Sequence, residues 1–165
     1  MRDFGPSMAP MNAFLILQGI ETLSLRMDKH ASNTAKMLEY LLNHDQVSWV
    51  SHPNLPSHSS HKLAKKYLPK GAGSIVSFGV KGGRDAGKAF IENVDLASHL
   101  ANVGDAKTLI IPPATTTHSR IDAEALVAAG ITEDMIRLSV GLEDIRDIQT
   151  DFESGFRAAK KIAGT

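Results

Sequence analysis

The chain has 165 residues, 42% hydrophobic and 22% charged, a one-domain length with the balance of a globular protein rather than a disordered one. It contains no cysteine, which excludes a disulfide framework, a thiol nucleophile and a Cys-ligated zinc site. Lys+Arg 18 against Asp+Glu 18 excludes a broad nucleic-acid or acidic-lipid surface, no apolar run reaches the ~20 residues of a membrane span, and residues 1–6 lack a signal-peptide layout, so a cytoplasmic α/β protein is expected.

Residues 11–25 are apolar on nearly every side (Met11, Phe14, Leu15, Ile16, Leu17, Ile20, Leu23, Leu25), which reads as a long buried helix behind Pro10. A helix buried so early needs something to bury it, so a partner surface or an upstream domain is expected. A second helix is predicted over residues 28–43, with Ala31, Ala35, Leu38 and Leu42 on its inner stripe and Thr34 and Leu41 beside it. Residues 47–50 read as a strand, 51–57 as a Pro- and Asx-rich loop, and 60–67 as a short basic helix ending before Pro69.

Residues 74–80 are the clearest strand, with Ile75, Ser77 and Gly79 on one face and Val76, Phe78 and Val80 on the other. Gly82-Gly83 turns the chain into a helix over 84–93, and strands are expected at 97–103 and 108–111 around Gly104-Asp105. Pro112-Pro113 opens a polar loop, Asp122 caps a short helix that stops at Gly130, residues 136–140 form a strand, and a helix over 142–162 carries Ile145, Ile148, Phe152, Phe156 and Ala159 on one stripe. Short strands alternating with helices predict a two-layer, partly antiparallel α/β sandwich.

Several residues carry candidate chemistry. Residues 82–88 have the spacing of a phosphate-binding loop, but Ala89 stands where a magnesium-holding hydroxyl belongs, so a glycine turn is the better reading. His52, His58 and His61 lack a further ligand for zinc and are expected to be solvated loop residues. His118 follows three threonines and is open to a site role or a turn-stabilising one. Arg137 sits mid-strand between Ile136 and Leu138, so its guanidinium projects from the face opposite the aliphatic one. Such a group needs a partner, and its planar fork suits a carboxylate. Either a bound ligand or an internal ion pair to Asp105, Glu143 or Asp144 satisfies it, and spacing does not choose. No nucleophile–base set is evident.

Met135 through Ile145, reading Met-Ile-Arg-Leu-Ser-Val-Gly-Leu-Glu-Asp-Ile, resembles the C-terminal signature of the pyridoxal-phosphate enzymes of cysteine and methionine metabolism. The runs 12–23, 58–73, 102–110 and 113–118 are similar to the same family in the same order. The Asn102-Val103-Gly104-Asp105 run and the Leu55-Pro56-Ser57-His58 loop resemble the O-acetylhomoserine sulfhydrylase subgroup. The family's Ser-x-Thr-Lys segment, which bears the Schiff-base lysine, is missing from these residues.

The resemblance implies the C-terminal part of a longer fold-type I enzyme. Residues 1–27 would be the tail of its large domain or an interdomain helix. Residues 28–165 would be the small C-terminal α/β domain, mostly antiparallel sheet packed with helices. It implies that Arg137 binds the α-carboxylate of a small amino-acid substrate, that Asn102 shares this role, and that Thr117 lies near the pocket. No catalytic, cofactor-binding or metal-binding residue is expected in this chain. Pyridoxal phosphate would belong to the parent enzyme, with none bound by this chain alone and no activity without the upstream lysine-bearing domain. The intact enzyme is expected to be a homo-oligomer. Two alternatives stand beside this: a non-enzymatic module binding a partner or a small carboxylate, and the same piece of a cystathionine γ-synthase or γ-lyase relative.

Overall fold

The structure, a computed structural model, describes residues 7–164. The expectation about the first six residues therefore lies outside the described residues. Helices α1 (Pro10–Glu21) and α2 (Leu23–Asn43) lead into strand β1 (Val47–Ser51), helix α3 (His61–Tyr67), strand β2 (Ile75–Val80) and helix α4 (Gly83–Glu92). Strands β3 (Ser98–His99) and β4 (Leu109–Ile111) follow, then a 3-10 turn (Pro113–Thr115), helix α5 (Ala123–Ala128), strand β5 (Met135–Ser139) and helix α6 (Ile145–Ala163).

The strands form one sheet in the order β1-β2-β5-β4-β3, antiparallel throughout except for the β3–β4 pair. The alternation in β2 and β5 sends Val76, Phe78, Val80, Ile136 and Leu138 to one face. There they meet Met37, Leu38 and Leu41 of α2, Phe90 of α4, and Ile148, Phe152 and Phe156 of α6. The expected two-layer α/β sandwich is therefore the observed one, and the opposite face of the sheet is left to strand residues and loops.

Three expectations are corrected. The long buried helix at the start is neither continuous nor buried. It breaks at Thr22 (φ −105°, ψ 4°), and α1 contains no buried residue. An all-apolar run signals a need for cover, and within these residues the cover is missing. The buried stripe of α2 is His30, Asn33, Thr34, Met37, Leu38 and Leu41, rotated from the predicted one so that Leu42 is exposed. The third strand shrinks to two residues because Asn102 and Asp105 draw the chain into side-chain-capped turns.

Candidate functional site

Strand β5 places Arg137. Its neighbours Ile136 and Leu138 enter the core, so the guanidinium emerges on the opposite face, beside Ser77 of β2 and Ile111 of β4. There it lines a concavity of about 460 Å³ together with Asn102, Thr117, His118, Ser77 and Met135. The three site residues named from the sequence, far apart in the chain, therefore share one hollow.

The internal ion pair is not what the structure holds. Among the described residues no carboxylate lies within ion-pairing distance of Arg137, and its recorded bond is a donation from Nη2 to the Asn102 carbonyl at 3.3 Å. All three candidate acids are engaged elsewhere. Asp105 accepts from the Lys107 N–H and the Asn102 amide, both at 3.0 Å, and these bonds, the backbone one foremost, hold its carboxyl below the usual range. Glu143 accepts from Thr108 N at 2.7 Å and Thr108 Oγ1 at 2.8 Å. Asp144 caps α6, and its bonds to the Arg146 side chain and then its N–H lower it to about 2.

Asn102 is bound within its own turn. Its Oδ1 accepts from Val103 N at 2.9 Å and its Nδ2 donates to Asp105, so the side chain is bound into its own loop. It meets Arg137 through its main chain. Thr117 also lines the hollow, its Oγ1 2.8 Å from His118 Nδ1. The loop that carries both is pinned by Thr116 Oγ1 donating to the Pro112 carbonyl at 2.7 Å and His118 N donating to the Pro113 carbonyl at 2.9 Å.

Behind the site lies a buried polar knot that sequence reading missed. Asn33 Nδ2 donates to the carbonyls of Gly141 (3.0 Å) and Glu143 (2.9 Å), and His30 Nδ1 donates to the Val140 carbonyl at 2.7 Å. Thr108 Oγ1 accepts from Gly141 N at 2.9 Å. The turn after β5 is thus bound from α2 on one side and from the start of β4 on the other. A Cβ at Gly141 would overlap the Glu143 carboxylate and the Lys107–Thr108 peptide, so this close approach requires glycine. The available signal was three polar residues, His30, Asn33 and Thr34, at helical spacing.

The remaining candidates are structural. Gly82 caps α4 at φ 96°, and Gly87 and Lys88 lie within the helix, so the glycine-turn reading holds. The three histidines are not solvated as expected. His52 is 1% exposed and accepts from Asn54 N through Nδ1, His58 Nδ1 accepts from Ser60 N, and His61 Nδ1 donates to the Pro53 carbonyl. Their local backbone bonds make them turn stabilisers. Among the described residues no group of His, Asp or Glu is arranged to hold a metal. No helix among them is long and apolar enough to cross a membrane.

The sheet carries on one face a guanidinium-lined hollow whose donors match the acceptor oxygens of a small carboxylate. The chain belongs to the Cys/Met metabolism PLP-dependent enzyme family, whose model matches residues 1–157. It is 52% identical over 159 residues to the homocysteine synthase of Schizosaccharomyces pombe, covering 96% of this chain and 37% of that protein. It is 46% identical over 153 residues to O-acetyl-L-homoserine sulfhydrylase 1 of Thermus thermophilus, covering 93% and 36%. Among solved structures it is similar to cystathionine gamma synthase of Xanthomonas oryzae (TM-score 0.87, 35% identity, 97% of this chain and 41% of that one). It also resembles a Campylobacter jejuni protein that holds N'-pyridoxyl-lysine-5'-monophosphate (TM-score 0.86, 41% identity, 94% and 37%). The chain thus spans little more than a third of the length of these curated relatives.

Pyridoxal phosphate is the cofactor of this family. The hollow around Arg137 is lined by a guanidinium, hydroxyls, an imidazole and an amide, with no lysine along it among the described residues. That donor set fits a carboxylate and does not fit the cofactor, which needs an amine to bind covalently.

Proposed function

We propose that this chain is the substrate-carboxylate-binding part of a PLP-dependent O-acetylhomoserine sulfhydrylase. That enzyme exchanges the acetyl-ester oxygen on Cγ of O-acetylhomoserine for sulfur from sulfide, releasing acetate and homocysteine. The observation that carries the proposal is Arg137: a guanidinium on a rigid strand, with no carboxylate partner among the described residues, facing a hollow shared with Asn102 and Thr117. The identity to homocysteine synthases supports the choice of reaction.

Within this reading Arg137 grips the α-carboxylate in a two-point contact. Such a contact fixes the direction of the amino acid as well as its position, which a point charge does not. Asn102 holds the guanidinium through its carbonyl and keeps the adjoining loop in shape. Thr117 supplies a hydroxyl to the hollow. The Schiff-base lysine comes from an upstream domain, and this chain alone is inactive. Residues 28–165 form the small domain, residues 1–27 reach into the large one, and the enzyme works in the cytoplasm as a homo-oligomer.

The test is a fusion of this chain to the upstream part of the S. pombe relative, assayed for sulfide-dependent homocysteine formation. The fusion should turn over, and Arg137→Ala should lower kcat/KM by roughly a hundredfold, the loss of two charge-assisted hydrogen bonds, while the fold is kept. No turnover by the fusion, or a normal kcat/KM in the variant, would overturn the proposal.

A further inference from the structure

His118 lines the same hollow as Arg137, and nothing above gives its imidazole a task. It is not a loose loop residue. Its N–H is bound to the Pro113 carbonyl at 2.9 Å and its carbonyl accepts from Ile121 N at 3.2 Å. Its Nδ1 lies 2.8 Å from Thr117 Oγ1, a full hydrogen bond between neighbours in sequence.

Either atom of that pair is able to donate to the other, and the ligand decides which one does. A hydroxyl has one proton to give, and a carboxylate only accepts. While Thr117 donates to a bare Nδ1, only its lone pairs remain for the hollow, and two lone pairs facing a carboxylate repel it. With the proton on Nδ1 the bond reverses. The imidazole then donates, the Thr117 oxygen accepts, and its own proton is released toward the ligand. The Asn102 amide is already bound by Val103 N and Asp105, which leaves the Thr117 and Ser77 hydroxyls as the neutral donors around the guanidinium.

We infer that His118 is a positioning residue whose Nδ1–H holds the Thr117 hydroxyl as a donor to the substrate carboxylate. The inference rests on the carboxylate-anchoring reading of Arg137 and deepens it. The site is a relay of donors, imidazole to hydroxyl to carboxylate, closed from the other side by the guanidinium. It selects for a ligand that is purely an acceptor at this end, and so for a carboxylate over a carboxamide.

The experiment is a double-mutant cycle in the fusion enzyme, read both as KM for O-acetyl-L-homoserine and as the inhibition constant of L-norvaline, an amino acid of similar shape without a leaving group. His118→Leu should raise both about tenfold, the loss of one hydrogen bond to a charged group, with a smaller change in kcat. His118→Asn, which returns an N–H near the Nδ1 position, should recover most of that loss. In a Thr117→Val background, His118→Leu should cost nothing further, because its effect passes through the hydroxyl.

Losses that multiply in the double variant, failure of Asn to rescue, or an unchanged constant in His118→Leu would each overturn the inference. Arg137→Ala separates the two levels. If it weakens norvaline while the His118 cycle is additive, only this inference falls. If it leaves norvaline binding unchanged, the anchoring reading falls as well.

Discussion

A glycine and an asparagine, neither in the hollow, carry much of the site's geometry. Asn33 alone satisfies two carbonyls of the turn that follows β5. Asn33→Ala removes both bonds and leaves one buried and one half-buried acceptor unpaired, so the chain should lose about 2–4 kcal/mol in urea denaturation. A loss under 1 kcal/mol would mean the turn is held without it. His52 supplies a pH signature. Its Nδ1 accepts from Asn54 N, a bond that only the unprotonated nitrogen makes, and burial is the main force depressing its pKa. Because the folded value lies below the unfolded one, the unfolded chain takes up the proton first. The contribution is therefore complete above the ordinary histidine pKa near 6.5 and is lost as pH falls through the lower folded value. His52→Asn, which keeps an acceptor for Asn54 N, should flatten the fall in melting temperature on acidification, and an unchanged slope would show that His52 does not set that fall. Arg137 itself was legible from the sequence because strand alternation is a strict rule. Its lack of an acidic partner was not, because hydrogen bonds to nearby main-chain N–H groups claimed Asp105 and Glu143, and only the folded loops show this.

At the scale of elements, legibility followed periodicity. Helix α6 reads directly from Ile148, Phe152, Phe156 and Ala159, and β2 and β5 read from strict alternation. Helix α2 was misread because its inner face is half polar: His30, Asn33 and Thr34 are buried, the first two bound to the turn after β5, and hydrophobicity alone rotates the stripe away from them. Strand β3 was overextended because its apolar residues run on into a loop governed by Asx bonds. Packing between α4 and α6 makes a prediction that propensity gets wrong. Gly155 of α6 sits against the Phe90 ring, and a Cβ there would lie 2.7 Å from Phe90 Cδ2 and 2.8 Å from the Phe90 carbonyl oxygen. Phe90 is itself wedged among Phe78, Phe152 and Phe156, with ring centroids 4.7–5.9 Å away. Helix propensity favours Gly155→Ala by about 1 kcal/mol, whereas overpacking a filled core costs about 1–3 kcal/mol. The variant should therefore be less stable than the parent in denaturant. A more stable variant would show that α4 and α6 have room to part.

At the scale of the whole molecule, α1 stands apart from the fold it belongs to. Met11, Phe14, Leu15, Ile16, Leu17 and Ile20 are all at least half exposed, on a helix whose only charged residue is Glu21. Covering one such side chain is worth about 1.5–3 kcal/mol, so the stripe holds enough free energy for a substantial interface, none of it spent in the described fold. The proposed enzyme supplies a partner in its upstream domain, and this yields opposite predictions for the chain alone and for the assembled enzyme. In the isolated chain, Phe14→Glu with Leu17→Glu touches no buried residue. The urea midpoint should stay within error of the parent's, while binding of an apolar dye and self-association at high concentration should fall. In the fusion enzyme the same pair forces two carboxylates into a covered apolar surface, at a cost of several kcal/mol, and should abolish assembly or turnover. If the pair unfolds the isolated chain, α1 is part of this domain's own core. If the fusion tolerates it, the upstream domain docks elsewhere and the apolar stripe serves another surface.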